Sequence, residues 1–264
     1  MNEKYARTNL FNTEERTIIC SKIGRKYHLS VLLPPDYATS NKNYPVVYLL
    51  DGDILFGLAA NCTTFLHWTG TQEVIVVGIS YEMQSYAEWG TLRELDFKIP
   101  EVKDAPPESN AHLFLDALTG EIIPFIEVNY HTIPSERSLY GFSSSGFFVL
   151  YALFNQPDAF RGYLCGSGDL DIAYPYFITH DQHLAQRNSN AEIKLYLTIG
   201  ELEENLNPFF HKFVSFFKDR KYPGLTLTTE IFTGEVHGPE TAALTYLHGI
   251  RRVYPSTSDE HTTR

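Results

Sequence analysis

Two short runs constrain this chain more than anything else in it. Residues 45–50 (PVVYLL) and 74–79 (VIVVGI) hold no charged side chain and are dominated by β-branched and aromatic residues. A strand with one wet face alternates apolar and polar positions, whereas a continuous apolar run suits a strand covered on both faces. Strands of that kind sit inside a mainly parallel sheet sandwiched between helices. Residues 55–66, between the two runs, read as helical, so the three segments form a strand–helix–strand unit.

The alternation continues along the 264 residues. Residues 28–33 (HLSVLL) are strand-like and stop at Pro34-Pro35, where extended structure must turn. Residues 98–110 (KIPEVKDAPPESN) are proline-rich and charged and read as a surface loop. Residues 111–128 place Leu113, Phe114, Ala117, Leu118, Ile122, Phe125 and Ile126 at helical spacing, with Pro124 late in the pattern as a kink or a restart. Further strands are expected at 138–141, 162–165, 195–199 and 226–231, and helices at 147–154, 208–218 and 239–253. No repeat or linker divides the chain. The expectation is one α/β domain over residues 1–264, a mainly parallel sheet with helices on both faces. The first strands add antiparallel at one edge, and the polar tail at about 255–264 frays.

Composition narrows the function classes. Twenty-one Lys+Arg against 32 Asp+Glu give a formal net charge of −11, which repels nucleic acid and anionic lipid. Cys20, Cys62 and Cys165 are odd in number, widely spaced and form no CxxC, which argues against a disulfide scaffold or a zinc ribbon. No apolar run approaches the roughly 20 residues of a membrane span. The N-terminal MNEKYARTNLFNTEERT is polar throughout and lacks the apolar core of a signal peptide. A cytoplasmic protein is expected, with a small-molecule partner and neither nucleic acid nor membrane. GxGxxG, GKS/T and HExxH are all missing, so neither a cofactor nor a metal is expected.

The stretch 138–150 (SLYGFSSSGFFVL) carries the chemistry. It runs strand, tight turn, helix, with small residues at the turn. A serine there projects its hydroxyl from the top of the sheet, beside the N–H groups of a helix N-terminus. The nucleophile-elbow pattern is G-x-S-x-G, and Gly141-Phe142-Ser143-Ser144-Ser145 departs from it only at the last position. A Ser-rich helix cap is the plain alternative. Residues 195–204 (LYLTIGELEE) read as a strand ending in Gly200 and a loop with three acids, of which Glu203 is best spaced for a triad acid; Glu201 and Glu204 compete with it. Residues 232–239 (FTGEVHGP) set His237 between a strand and a helix, a context none of the other nine histidines has. The order Ser143, Glu203, His237 is that of an α/β-hydrolase triad. Each member follows a strand, so all three emerge at one sheet edge. An oxyanion hole needs two backbone N–H groups, expected from Ser144 and from Asp53 in the Asp51-Gly52-Asp53 turn, with the Asp53 carboxylate pointing away.

With these residues in place the chain resembles the putative-esterase branch of the α/β-hydrolases. That branch includes siderophore esterases, feruloyl esterases, S-formylglutathione hydrolases and mycolyltransferases. The matching pieces are PVVYLLDGD, RELDF, the Ser143 elbow, IGELEE and FTGEVHG, and their combination is most similar to the siderophore-esterase-like group. The resemblance implies Ser143 as nucleophile, His237 as base and Glu203 as acid. Arg93 and Asp96 match a recurrent pair in that family and read as structural or pocket-rim residues.

The expected reaction is metal-independent hydrolysis of a carboxylic ester through an acyl-enzyme. Acyl transfer and thioester hydrolysis are variants on the same site, and a catalytically silent binding module is the reading outside enzymes. Residues 169–190 lie between the elbow helix and the acid loop, carry Tyr174, Tyr176 and Phe177, and are expected to cap the pocket. Those aromatics would suit an aryl ester, while a short-acyl ester is the plainer expectation.

Overall fold

The computed structural model describes residues 10–83, 85–187 and 191–256. Among them, eight strands form one sheet: β1 (Thr13–Cys20), β2 (Arg25–Leu32), β3 (Tyr44–Leu49), β4 (Ile75–Tyr81), β5 (Thr132–Phe142), β6 (Gly162–Gly166), β7 (Ile193–Gly200) and β8 (Leu225–Phe232). Their spatial order is β1-β2-β4-β3-β5-β6-β7-β8. β2 runs antiparallel to both β1 and β4, and every pair from β4 to β8 is parallel. This is the mainly parallel sheet with an antiparallel edge that the pattern predicts. Most of the tail expected to fray lies at 257–264, outside the described residues. No helix among the described residues is long and apolar enough to cross a membrane.

Why the central runs carry no charge follows from the two cores. Val46, Tyr48, Ile75, Val77 and Ile79 enter the larger core, and Val47, Leu49, Val74 and Val76 enter the smaller one on the opposite face. Successive side chains of a strand point to opposite faces, so a central strand here finds no water on either. Helices α1 (Gly52–Trp68) and α9 (Pro239–Val253) close the smaller core through Phe56, Ala59, Tyr246 and Ile250. The larger face is covered by α2 (Tyr86–Phe97), α3 (Ala111–Ala117), α4 (Ile123–Asn129), α5 (Ser144–Asn155), α6 (Leu170–Phe177), α7 (Gln182–Ala185) and α8 (Asn207–Arg220). α5 is buried from Ser144 to Phe154. Its Phe148 packs on Phe114 and Phe97 at ring separations of 4.9 and 5.7 Å. Each such ring contributes about 1.5–3 kcal/mol of burial.

Four segments differ from their sequence pattern, each for a physical reason. β1 lies in the stretch read as polar because it is an edge strand, paired on one side only and alternating in exposure along its length. α2 has only a weak apolar stripe, since Asp96 and Phe97 alone are fully buried along it. Its start is nevertheless written locally, with the Ser85 hydroxyl accepting from the Glu88 N–H at 3.2 Å. The helix over 111–128 contains a π-helical turn at Leu118–Ile122, directly before Pro124. Proline cannot donate to the preceding turn and crowds it, and a widened turn relieves both problems. Residues 98–110 are a loop, but Lys98, Ile99, Val102 and Ser109 turn inward.

α2 is anchored to the sheet by Asp96, which is fully buried, accepts from the Tyr27 hydroxyl at 2.7 Å and pairs with Arg25. Removing one partner of a buried pair leaves the other uncompensated. Asp96→Ala is expected to cost about 3–5 kcal/mol by urea denaturation, and Asp96→Asn, which retains an acceptor for Tyr27, clearly less.

Candidate active site

The parallel strands deliver their following residues to one edge. Asp51 comes after β3, Ser143 after β5, Ser167 after β6, Glu203 after β7 and His237 after β8. Ser143 is the junction between β5 and α5, with φ 61° and ψ −127°. A left-handed φ on a non-glycine residue is strained and persists only where packing over-determines it. Here the Ser143 N–H donates to Gly166 O at 3.0 Å, and Phe147 N–H donates to Ser143 O at 3.0 Å.

The serine at 145 departs from the elbow pattern without disturbing the turn. Ser145 is fully buried, and its hydroxyl donates to Phe142 O and accepts from Phe142 N–H, both at 2.9 Å. Close backbone approach falls on its neighbours instead. A Cβ on Gly141 would lie 2.3 Å from Ser145 O, and one on Gly146 would lie 2.7 Å from the Gly168 Cα.

Of the three acids in the β7–α8 loop, Glu203 is the one bonded to His237, with Oε2 2.8 Å from Nδ1. Glu201 accepts from the Gly234 N–H at 2.8 Å and stays on the exposed surface, as does Glu204. The second oxygen of Glu203 accepts from the Ser167 hydroxyl at 2.6 Å and the Gly200 N–H at 2.8 Å. Burial alone would push the Glu203 carboxyl up. The bonds from His237, Ser167 and Gly200 outweigh it and hold the group below its ordinary 4.5. An ionised Glu203 selects the imidazole tautomer with hydrogen on Nδ1 and leaves Nε2 for proton exchange. The imidazole lies beside the elbow, its ring 4.8 Å from that of Phe142, the residue before Ser143. Its side chain is 42% exposed, so the edge is open to solvent.

Asp53 and Ser144 each occupy the first turn of a helix, where N–H groups have no intrahelical acceptor. The Asp53 carboxylate is turned to the Tyr81 N–H at 3.3 Å, and burial pushes its carboxyl up to about 6. Asp51 has φ 54° and receives a two-point ion pair from Arg93 at 3.0 and 2.7 Å. Arg93 thus braces the Asp51-Gly52-Asp53 turn, while Asp96 anchors α2. The Arg93 guanidinium lies 4.6 Å over the Trp89 ring.

Four side chains at this edge escape the sequence reading. The Ser144 hydroxyl lies 2.7 Å from the Glu94 carboxylate and 3.0 Å from that of Asp169. Asp169 pairs with the buried Lys98, whose ammonium is 4.7 Å over the Phe147 ring. Ser167, Gly168 and Asp169 form the turn after β6, with φ 44° at Ser167 and 40° at Asp169. The only signal for this turn in the sequence is the small-residue run Gly166-Ser167-Gly168 after a strand. Within the segment expected to cap the pocket, Phe177 is core, stacked 4.6 Å from Phe154, and Tyr174 packs edge-on against Phe213. Tyr176 lines a cavity of about 580 Å³ with Asp171, Asn205 and Phe209, and Ser143, Glu203 and His237 are not among its lining residues. Residues 188–190 of that segment lie outside the described residues.

Comparison with known proteins shows the family and the fold. Residues 20–235 match the family model described as "Putative esterase". The chain is 29% identical over 209 residues to the ferri-bacillibactin esterase BesA of Bacillus subtilis (strain 168), covering 73% of this chain and 71% of that protein. The BES protein from Bacillus cereus superposes with a TM-score of 0.83 at 23% identity, covering 96% of this chain and 99% of that one. The siderophore hydrolase EstB from Aspergillus nidulans also gives 0.83, at 18% identity and with 95% and 98% covered. These two likenesses establish the fold as the α/β-hydrolase type.

Two outcomes follow from the geometry. Gly141→Ala drives a Cβ into backbone and is expected to cost about 1–3 kcal/mol in chemical denaturation. Ser145→Gly meets no such clash and loses only its bonds to Phe142. For Glu203 the sign is that of a carboxyl held low in the folded state. Its contribution is full above its unfolded value and is lost as pH falls through the folded one. The stability difference between wild type and Glu203→Gln, read by urea denaturation, is therefore expected to shrink between about pH 5 and pH 3.

Proposed function

The chain belongs to the family described as "Putative esterase" and is a carboxylic ester hydrolase, and from that premise we propose that Ser143, His237 and Glu203 carry its reaction as nucleophile, base and acid. The observation that supports this most directly is the 2.8 Å bond from His237 to Glu203, made by an imidazole whose ring lies 4.8 Å from that of Phe142, the residue before a strained serine. His237 Nε2 takes the Ser143 proton as the alkoxide attacks the ester carbonyl. The oxyanion is held by the Asp53 and Ser144 N–H groups, and His237 then protonates the departing alcohol. Water attacks the acyl-Ser143 ester with its proton passing to His237, and the same proton returns to Ser143 as the carboxylic acid leaves. Glu203 stays ionised throughout and balances the imidazolium.

The substrate is a small-molecule ester. The names of the similar proteins favour an ester of the siderophore type.

A fluorophosphonate read by intact mass is expected to add once to wild type and not to Ser143→Ala; labelling that persists in the variant means another serine is the nucleophile. Glu203→Gln is expected to lower kcat by about 10²- to 10⁴-fold on a chromogenic ester, whereas Glu201→Gln leaves it nearly unchanged. The opposite ranking overturns the choice of acid. Because Asp53 acts through its backbone, Asp53→Asn is expected to keep most of the activity in the same assay.

A further inference from the structure

The turn after β6 touches both ends of the reacting array, and one of its side chains has no role in the mechanism above. Gly166 O accepts the N–H of Ser143 at 3.0 Å. One residue on, the Ser167 hydroxyl donates to Glu203 Oε1 at 2.6 Å. Ser167 is fully buried and held at φ 44°, its N–H donating to Thr198 O at 3.0 Å. Gly168 follows with no room for a Cβ, which would lie 2.6 Å from the Cys165 sulfur and 2.7 Å from the Gly146 carbonyl carbon. The turn therefore cannot shift without moving the start of α5.

A side-chain carboxylate has two bonds of rotation beyond Cβ, and a single hydrogen bond to an imidazole does not fix its plane. Gly200 N–H and Ser167 O–H both reach Oε1, while His237 takes Oε2. The Gly200 donor is the last residue of β7, the strand that leads directly into the Glu203 loop. Ser167 is the donor brought in from a different strand, so it alone refers the acid to the part of the sheet that also fixes Ser143.

We infer that Ser167 is a positioning residue for catalysis. Its hydroxyl locks the plane of the Glu203 carboxylate and thereby aims His237 at Ser143, a role that rests on the proposed triad. It contacts no substrate. It acts on the rate of the chemical step rather than on substrate binding, and only by way of Glu203.

The test uses Ser167→Ala and Ser167→Gly. The glycine variant suits the left-handed backbone at 167, so it removes the hydroxyl while easing the turn, and thermal unfolding reports that the fold is kept. Both variants are expected to lose about ten- to a hundredfold in kcat on a chromogenic ester, the range for a lost hydrogen bond to a charged group, with KM unchanged. In the Glu203→Gln background, Ser167→Ala is expected to add little further loss, because the two residues act as one unit. Wild-type kcat in both Ser167 variants, a change confined to KM, or a full additive loss on top of Glu203→Gln overturns the inference. Fluorophosphonate labelling separates the two levels. If Ser143 is labelled in wild type and the Ser167 variants match it in kcat, the positioning role fails and the triad stands; if Ser143→Ala is still labelled, the triad fails and takes this role with it.

Discussion

The site depends on a backbone conformation that a serine would not adopt alone. Ser143 is held at φ 61° because β5 and α5 must cross in almost no space, with Gly141 under Ser145 and Gly146 against Gly168. Those two approaches are fixed by burial within the larger core, since α5 is enclosed from its first turn to Phe154. Folding energy from the larger core thus maintains a local strain of about 1–3 kcal/mol. In return, Ser143 stands at the carboxyl edge of the sheet, where α5 begins.

Charge around the edge is arranged in layers. Nearest the elbow stand His237 and Glu203, with a buried carboxylate that is fully hydrogen-bonded. At the same edge Asp51 is paired with Arg93, and Asp169 with Lys98. A chain carrying a net −11 thus offsets two of its acids at this edge with largely buried cations. The two cations are themselves packed against aromatic rings, Arg93 over Trp89 and Lys98 over Phe147. Such contacts favour a cation where water is scarce.

Much of this was legible in the sequence, and the reason is locality. The runs at 45–50 and 74–79 announce two-faced burial by lacking charge, and the sheet they predict is the one observed. The placement of Ser143, Glu203 and His237 each just after a strand is also a local signal, and the sheet brings those strand ends to one edge. What escaped reading is non-local. β1 is polar because only its partner β2 makes it a strand, and α2 carries a weak stripe because only its last two residues are fully buried, with Trp89 and Leu92 partly so. Ser167 looks like any small residue in a turn until β6 and β7 are laid side by side. The acids at 201, 203 and 204 could be ranked by spacing, but only the fold separates the one facing His237 from the one that caps the Gly234 N–H.

The inward-facing hydroxyl at 145 changes how relatives of this chain should be recognised. A search template demanding glycine two places after the nucleophile would pass over it, although its steric requirement is met one position further on, where Gly146 lies against Gly168. Position 145 has room for a hydroxymethyl group, whereas 141 and 146 have none for a Cβ. A signature anchored on those two sites follows the physical constraint more closely than the familiar spacing does.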